Sequence, residues 1–183
     1  MAIAFVLNTK SEILKSRKTA AWWLTIIGAS LVPFVITLTY IFKSEVFIPK
    51  LKDNPWNMHF AQCWEATGAF LLPMYVILVT SLVVQTEYKN NTWKQVYTTP
   101  RTYADIYFSK FLLIHLLIIG CFILFNVLMI SGGFLSNLIH KNYRFFEKDI
   151  PWKTLLGMNF RLYVSILGIT AIQYWLSRQR LNR

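Results

Sequence analysis

Long uncharged apolar runs alternate with short polar, basic stretches along this chain. Residues 21–42 carry no charge. At about 1.5 Å per residue they reach roughly 33 Å, enough for a hydrocarbon core of about 30 Å. Trp22 and Trp23 mark one end and Tyr40 and Phe42 the other, as an interfacial aromatic belt does. Residues 66–85 form a second such run, and residues 111–135 a third that holds His115 and Asn126 but no formal charge. Residues 157–177 form a fourth, in which Arg161 can snorkel to the interface. Four helices with almost no polar face would leave a soluble protein nothing to set against water. The pattern predicts an all-α integral membrane protein, a single domain over 1–183 with about four transmembrane helices.

Composition sharpens this reading. The chain is 55% hydrophobic and 15% charged, where soluble domains carry about a quarter of their residues as charges. The net charge of +11 would suggest nucleic acid in a soluble protein. Here Lys and Arg flank the apolar runs, where they meet anionic headgroups and hold loops in the cytoplasm, so nucleic acid is excluded as a partner. Eleven Lys and Arg fall in the N-terminal segment, the second connection and the C-terminal end, against eight in the first and third connections. That bias places both termini and the 86–110 loop in the cytoplasm. Cys63 and Cys121 make no C-x-x-C and lack metal spacing. The N-terminal basic stretch leads into a run too long for a cleavable signal peptide. No Walker loop, zinc-protease helix or nucleophile elbow occurs, so no catalytic, cofactor or metal residues are expected and the chain is read as no enzyme.

The connections carry the remaining signals. Thr9-Lys10-Ser11-Glu12 has the form of a capping box, Thr9 as cap and Glu12 reaching back. It predicts an N-terminal interfacial helix on the cytoplasmic leaflet, with a basic tail as the alternative. The second connection is longer than a tether needs. In it Asn91 or Thr92 caps a short helix, Pro100 ends it, and Thr102 and Asp105 cap the next. Trp93, Val96 and Tyr97 recur at helical spacing, an apolar knuckle suited to docking a partner or to lying among headgroups. Asn90-Asn91-Thr92 fits a glycosylation pattern that a cytoplasmic loop cannot use. Pro33 and Pro73 lie inside the first two spans, where a simple kink is favoured over a broken-helix site. His115 and Asn126 are favoured as interhelical contacts over a proton relay. Glu65 reads as a solvated boundary residue, and Gly132-Gly133 as either a flexible point or a close-packing site. Residues 137–160 read as an amphipathic outer segment or a gate.

The run Glu87-Tyr-Lys-Asn-Asn-Thr-Trp-Lys, then Thr99-Pro-Arg and Tyr107-Phe-Ser-Lys110, resembles the loop between the second and third spans of ABC-2 type transporter permeases. The lantibiotic-immunity and bacitracin-type export branch is the most similar. Glu12-Ile-Leu-Lys-Ser-Arg-Lys and Gln173-Tyr-Trp-Leu-Ser resemble that family's ends. The resemblance implies a permease subunit of an ATP-driven exporter in a bacterial cytoplasmic (inner) membrane, with no cofactor of its own. It implies a separate ABC ATPase subunit, which hydrolyses the ATP, and a second permease subunit, identical or related. It also implies a short coupling helix in the 86–105 loop, with Glu87, Asn91, Thr92, Trp93, Lys94, Tyr97, Pro100 and Arg101 making or shaping the ATPase contact. Such permeases have six spans, so this chain is expected to be the N-terminal part of one. A small non-transporting membrane scaffold or sensor is the alternative.

Overall fold

Every described element is a helix, in a computed structural model that describes residues 2–17, 19–51, 54–89 and 103–179. In order these are α1 (Ala2–Ser16), α2 (Ala20–Phe42), the short α3 (Ser44–Phe47), α4 (Pro55–Ala66), α5 (Leu72–Lys89), α6 (Tyr103–Ile139) and α7 (Trp152–Gln179). A 3-10 turn follows α3 at Ile48–Leu51, and another precedes the last connection at Lys141–Tyr143. Among the described residues, four stretches are long and apolar enough to cross a membrane: Ala20–Phe42, Pro55–Gln85, Ala104–Ile139 and Trp152–Ser177.

The second of these starts earlier than the hydropathy of 66–85 indicates. Asn54 caps α4 by accepting the Trp56 amide at 3.0 Å on its side-chain oxygen, and Pro55 occupies the first helical position. The helix then passes from α4 to α5 through a π turn at Thr67–Leu71, where the Leu72 amide bonds Thr67 five residues back. The wide turn lets the chain accept Pro73, which has no N–H to offer the turn before it. Pro33 instead lies inside the continuous α2. The third and fourth apolar helices also begin before their hydropathic cores, at Tyr103 and Trp152. α1 begins at Ala2, so Thr9 is an interior residue and the capping box is not formed.

Large apolar side chains on these helices face outward. Trp23, Phe34, Ile123, Leu138, Leu156 and Phe160 are all exposed. A water-soluble protein would not present such a surface around its longest helices, whereas hydrocarbon accepts it. The chain is an all-α membrane protein.

Contacts divide the chain into two compact units. One comprises residues 1–25, 74–120 and 166–183. Its core is built on Val76, Val79 and Val83 and on Leu113, Ile114, Leu117 and Ile118, both sets at helical spacing. The other comprises residues 26–73 and 121–165. There aromatic rings dominate: Tyr40, Trp56, Phe60, Phe125, Tyr143 and Phe145 are almost fully buried. Trp56 and Phe145 meet edge to face at 4.8 Å, and Tyr40 stacks on Tyr143 at 5.5 Å. Gly132 and Gly133 belong to this packing: a Cβ on Gly132 would strike the Thr37 hydroxyl, and one on Gly133 would come within 2.9 Å of the Trp56 ring.

Candidate functional site

The segment between α5 and α6 is the loop singled out by sequence. Glu87 lies in the last turn of α5, with only its backbone described. Asn91, Thr92, Trp93, Lys94, Tyr97, Pro100 and Arg101 lie outside the described residues. The frame that carries the loop is described. α5 leads into it at Lys89, and α6 leaves it at Tyr103 with Asp105 in its first turn, where a carboxylate meets the positive end of the helix dipole.

A buried ion pair lies close to that exit. Lys110, two turns into α6, donates to Glu12 of α1 at 2.7 Å, and each side chain is only 8% exposed. Glu12 also accepts from the half-exposed Lys15 at 2.8 Å. Burial by itself would push the Glu12 carboxyl up. The charge and hydrogen bond of Lys110, joined by those of Lys15, outweigh it and hold the carboxyl below its ordinary value. The sequence reading sent Glu12 back to its own helix terminus; the structure sends it 98 residues along the chain. A charge one residue before a long apolar run is costly unless partnered, and that was the available signal.

α1 is turned in an unusual way. Among its described side chains, those of residues 8–16, Asn8, Thr9, Glu12 and Ser16 are buried, whereas Leu14 is 54% exposed. Over that stretch the face against the protein is polar, and the outer face mixes Leu14 with Lys10 and Lys15, followed by Arg17. Ser16 also accepts from the Trp22 indole at 3.1 Å, tying the end of α1 to the start of α2.

The same unit holds further polar links between helices. The Thr25 hydroxyl lies 2.9 Å from that of Tyr75, which lies 3.1 Å from the Leu117 carbonyl. Gln173 donates to Ser81 at 3.2 Å, and Tyr174 to the Tyr107 carbonyl at 3.0 Å. His115 turns inward on its own helix: its Nδ1 lies 3.0 Å from the Phe111 carbonyl, with the Phe111 ring 4.3 Å away.

Asn126 belongs to the other unit. Its amide donates to the Phe122 carbonyl at 2.7 Å and to Asn159 at 2.7 Å, and Asn159 donates back at 3.1 Å. Asn126 is thus accompanied in its unit by two polar residues the sequence reading did not single out, Asn159 and His59. The His59 ring is fully buried, with Nε2 2.9 Å from the Met129 carbonyl. The connection after α6 is fastened inward by Tyr143, which donates to the Tyr40 carbonyl at 2.7 Å, and by Asn137, which accepts the Phe145 amide at 2.9 Å. Phe146 and Trp152 stay exposed. Glu65 is exposed near the end of α4.

An apolar cleft of about 740 Å³ opens between α2 and α6, lined chiefly by Leu31, Pro33, Phe34, Leu128, Leu135 and Leu138. Cys63 and Cys121 are buried.

Residues 9–180, nearly the whole chain, match the family model described as ABC-2 family transporter protein. Neither the comparison with curated proteins nor that with solved structures returns a match.

Proposed function

Because the chain belongs to the ABC-2 transporter family and is thereby a permease component of an ABC transporter, we propose that it works as an exporter subunit driven through its 86–105 loop. The family match across 9–180 carries this reading, supported by four membrane-length helices. Association with an ABC ATPase and with the membrane follows from membership. The finer assignments are ours: docking of the ATPase by Glu87, Asn91, Thr92, Trp93, Lys94, Tyr97, Pro100 and Arg101, a pair of permease subunits, and cytoplasmic placement of the N-terminus and the loop in a bacterial inner membrane. The branch that exports lantibiotics and bacitracin-type peptides is the one its loop motifs resemble. Nucleotide binding would close the ATPases and shift a two-state equilibrium of the spans through the loop.

The test is affinity purification of the tagged chain in mild detergent, with mass spectrometry of what accompanies it. An ATPase subunit is expected, and its recovery is expected to fall at least tenfold, roughly the loss of one aromatic anchor, for Trp93→Ala. Arg101→Glu is expected to act in the same direction. Unchanged recovery in both variants sinks the docking assignment. A preparation without ATPase, under conditions that keep a known exporter complex together, favours the scaffold role instead.

A further inference from the structure

We propose that Glu12 and Lys110 latch the N-terminal helix onto the start of α6, and that this helix is thereby a positioning element for the loop that meets the ATPase. The second half rests on the docking role proposed above; the first half stands without it.

Three observations carry the latch. The ion pair is short, at 2.7 Å, and nearly sealed from solvent on both sides. Over residues 8–16, the part of α1 whose side chains are described, the buried residues are the polar Asn8, Thr9, Glu12 and Ser16. Leu14, in the same stretch, is more than half exposed. A helix held by apolar area keeps most of its attachment when one residue is changed, because that energy is spread over many contacts. Removing one partner of a buried charge pair costs more than removing one apolar contact, because the other charge stays in a poorly solvated place. Lys110 stands seven residues after Tyr103, the start of α6, so about 10 Å of helix separates it from the loop exit. Motion imposed on the loop reaches Lys110 through rigid helix, and Glu12 passes it to α1.

Lys15 is a built-in control. It also contacts Glu12, at 2.8 Å, but its side chain is 44% exposed, and exposed pairs contribute little.

Amide hydrogen exchange of the full chain in lipid nanodiscs tests the latch. Glu12→Gln and Lys110→Met are each expected to speed exchange across residues 2–17 at least tenfold, roughly, while residues 121–139 keep their protection. Lys15→Gln is expected to change it by no more than about threefold. The paired reversal E12K/K110E is expected to restore protection of 2–17, which a general loss of folding would not allow. Unchanged exchange in both single variants overturns the latch, and so does failure of the reversal when 121–139 stays protected.

Co-purification then tests the positioning role. If the unaltered chain retains an ATPase and Glu12→Gln loses most of it, with recovery in E12K/K110E, the helix positions the loop. If Glu12→Gln releases the helix and still retains the ATPase with full nucleotide hydrolysis, that role is overturned. If the unaltered chain retains no ATPase, the docking reading has failed, and the exchange data alone decide the latch.

Discussion

The side-chain amides of Asn126 and Asn159 bond each other in both directions, at 2.7 and 3.1 Å, from α6 to α7. Each also uses its second N–H on a carbonyl of its own helix, Phe122 for Asn126 and Leu155 for Asn159, so all four amide hydrogens are placed. Changing one member strands the other in an apolar setting. Asn126→Leu or Asn159→Leu is expected to cost about 1 kcal/mol, in line with interhelical bonds inside membranes. The double change to Leu is expected to recover most of that loss. Thermal unfolding in detergent, arranged as a double-mutant cycle, measures the coupling; strictly additive losses would show that the two amides do not act together.

Two glycines of α6 predict opposite outcomes for the same substitution. A Cβ on Gly132 meets the Thr37 hydroxyl, whereas one on Gly120 finds no atom within 4 Å. Gly132→Ala is expected to destabilise by about 1–3 kcal/mol through overpacking. Gly120→Ala is expected to stabilise by about 0.5–1 kcal/mol through helix propensity. Adding Thr37→Ala to Gly132→Ala removes the obstructing oxygen and is expected to reverse much of the loss. Equal shifts for the two glycines would contradict the close approach at Gly132.

The indole N–H of Trp56 is shared between the carbonyls of Phe145 and Lys148, at 3.1 Å each. This bond fastens the connection that carries the exposed Arg144 and Lys148. Trp56→Phe keeps a ring in the aromatic cluster but removes the donor, at a cost of about 1 kcal/mol. Trypsin cleavage after Arg144 or Lys148 is then expected to run about fivefold faster if it follows local opening. An unchanged cleavage rate would mean that Phe145 and Tyr143 hold the connection without the indole.

Acid is expected to release α1. The Glu12 carboxyl titrates below its ordinary value in the folded protein. In the pH window just below about 4.3, the unfolded chain therefore binds a proton that the native state does not. The contribution of the ion pair is complete above that window and is lost as pH falls through it. Protection of residues 2–17 against exchange should decline there in the unaltered chain. Glu12→Gln should begin low and show no such decline, and parallel profiles would remove Glu12 as the titrating group.

Several features were legible before any tertiary contact was known. Uncharged runs such as 21–42 and 111–135 predict spanning helices because hydrocarbon offers the backbone no partner, so the chain must satisfy itself helix by helix. The Asn54-Pro55 pair was also a readable start signal for α4, overshadowed by the stronger hydropathy of 66–85. The loop with Trp93 and Arg101 was the most informative stretch of sequence, and its residues lie outside those the structure describes.

The sequence by itself determined the class of the protein, the number of its membrane-length helices and its family likeness, because hydropathy, charge and short motifs are properties of adjacent residues. Tertiary structure decided where the polar side chains go. Glu12 fits a capping box on paper and pairs with Lys110 in space; Asn126 looks alone in its span and meets Asn159; Gly132 permits either flexibility or close approach and provides the latter against Thr37. Each outcome depends on how a helix is rotated about its axis. In membrane helices that are apolar nearly all round, no single hydrophobic stripe in the sequence specifies that rotation, and packing against the neighbours sets it.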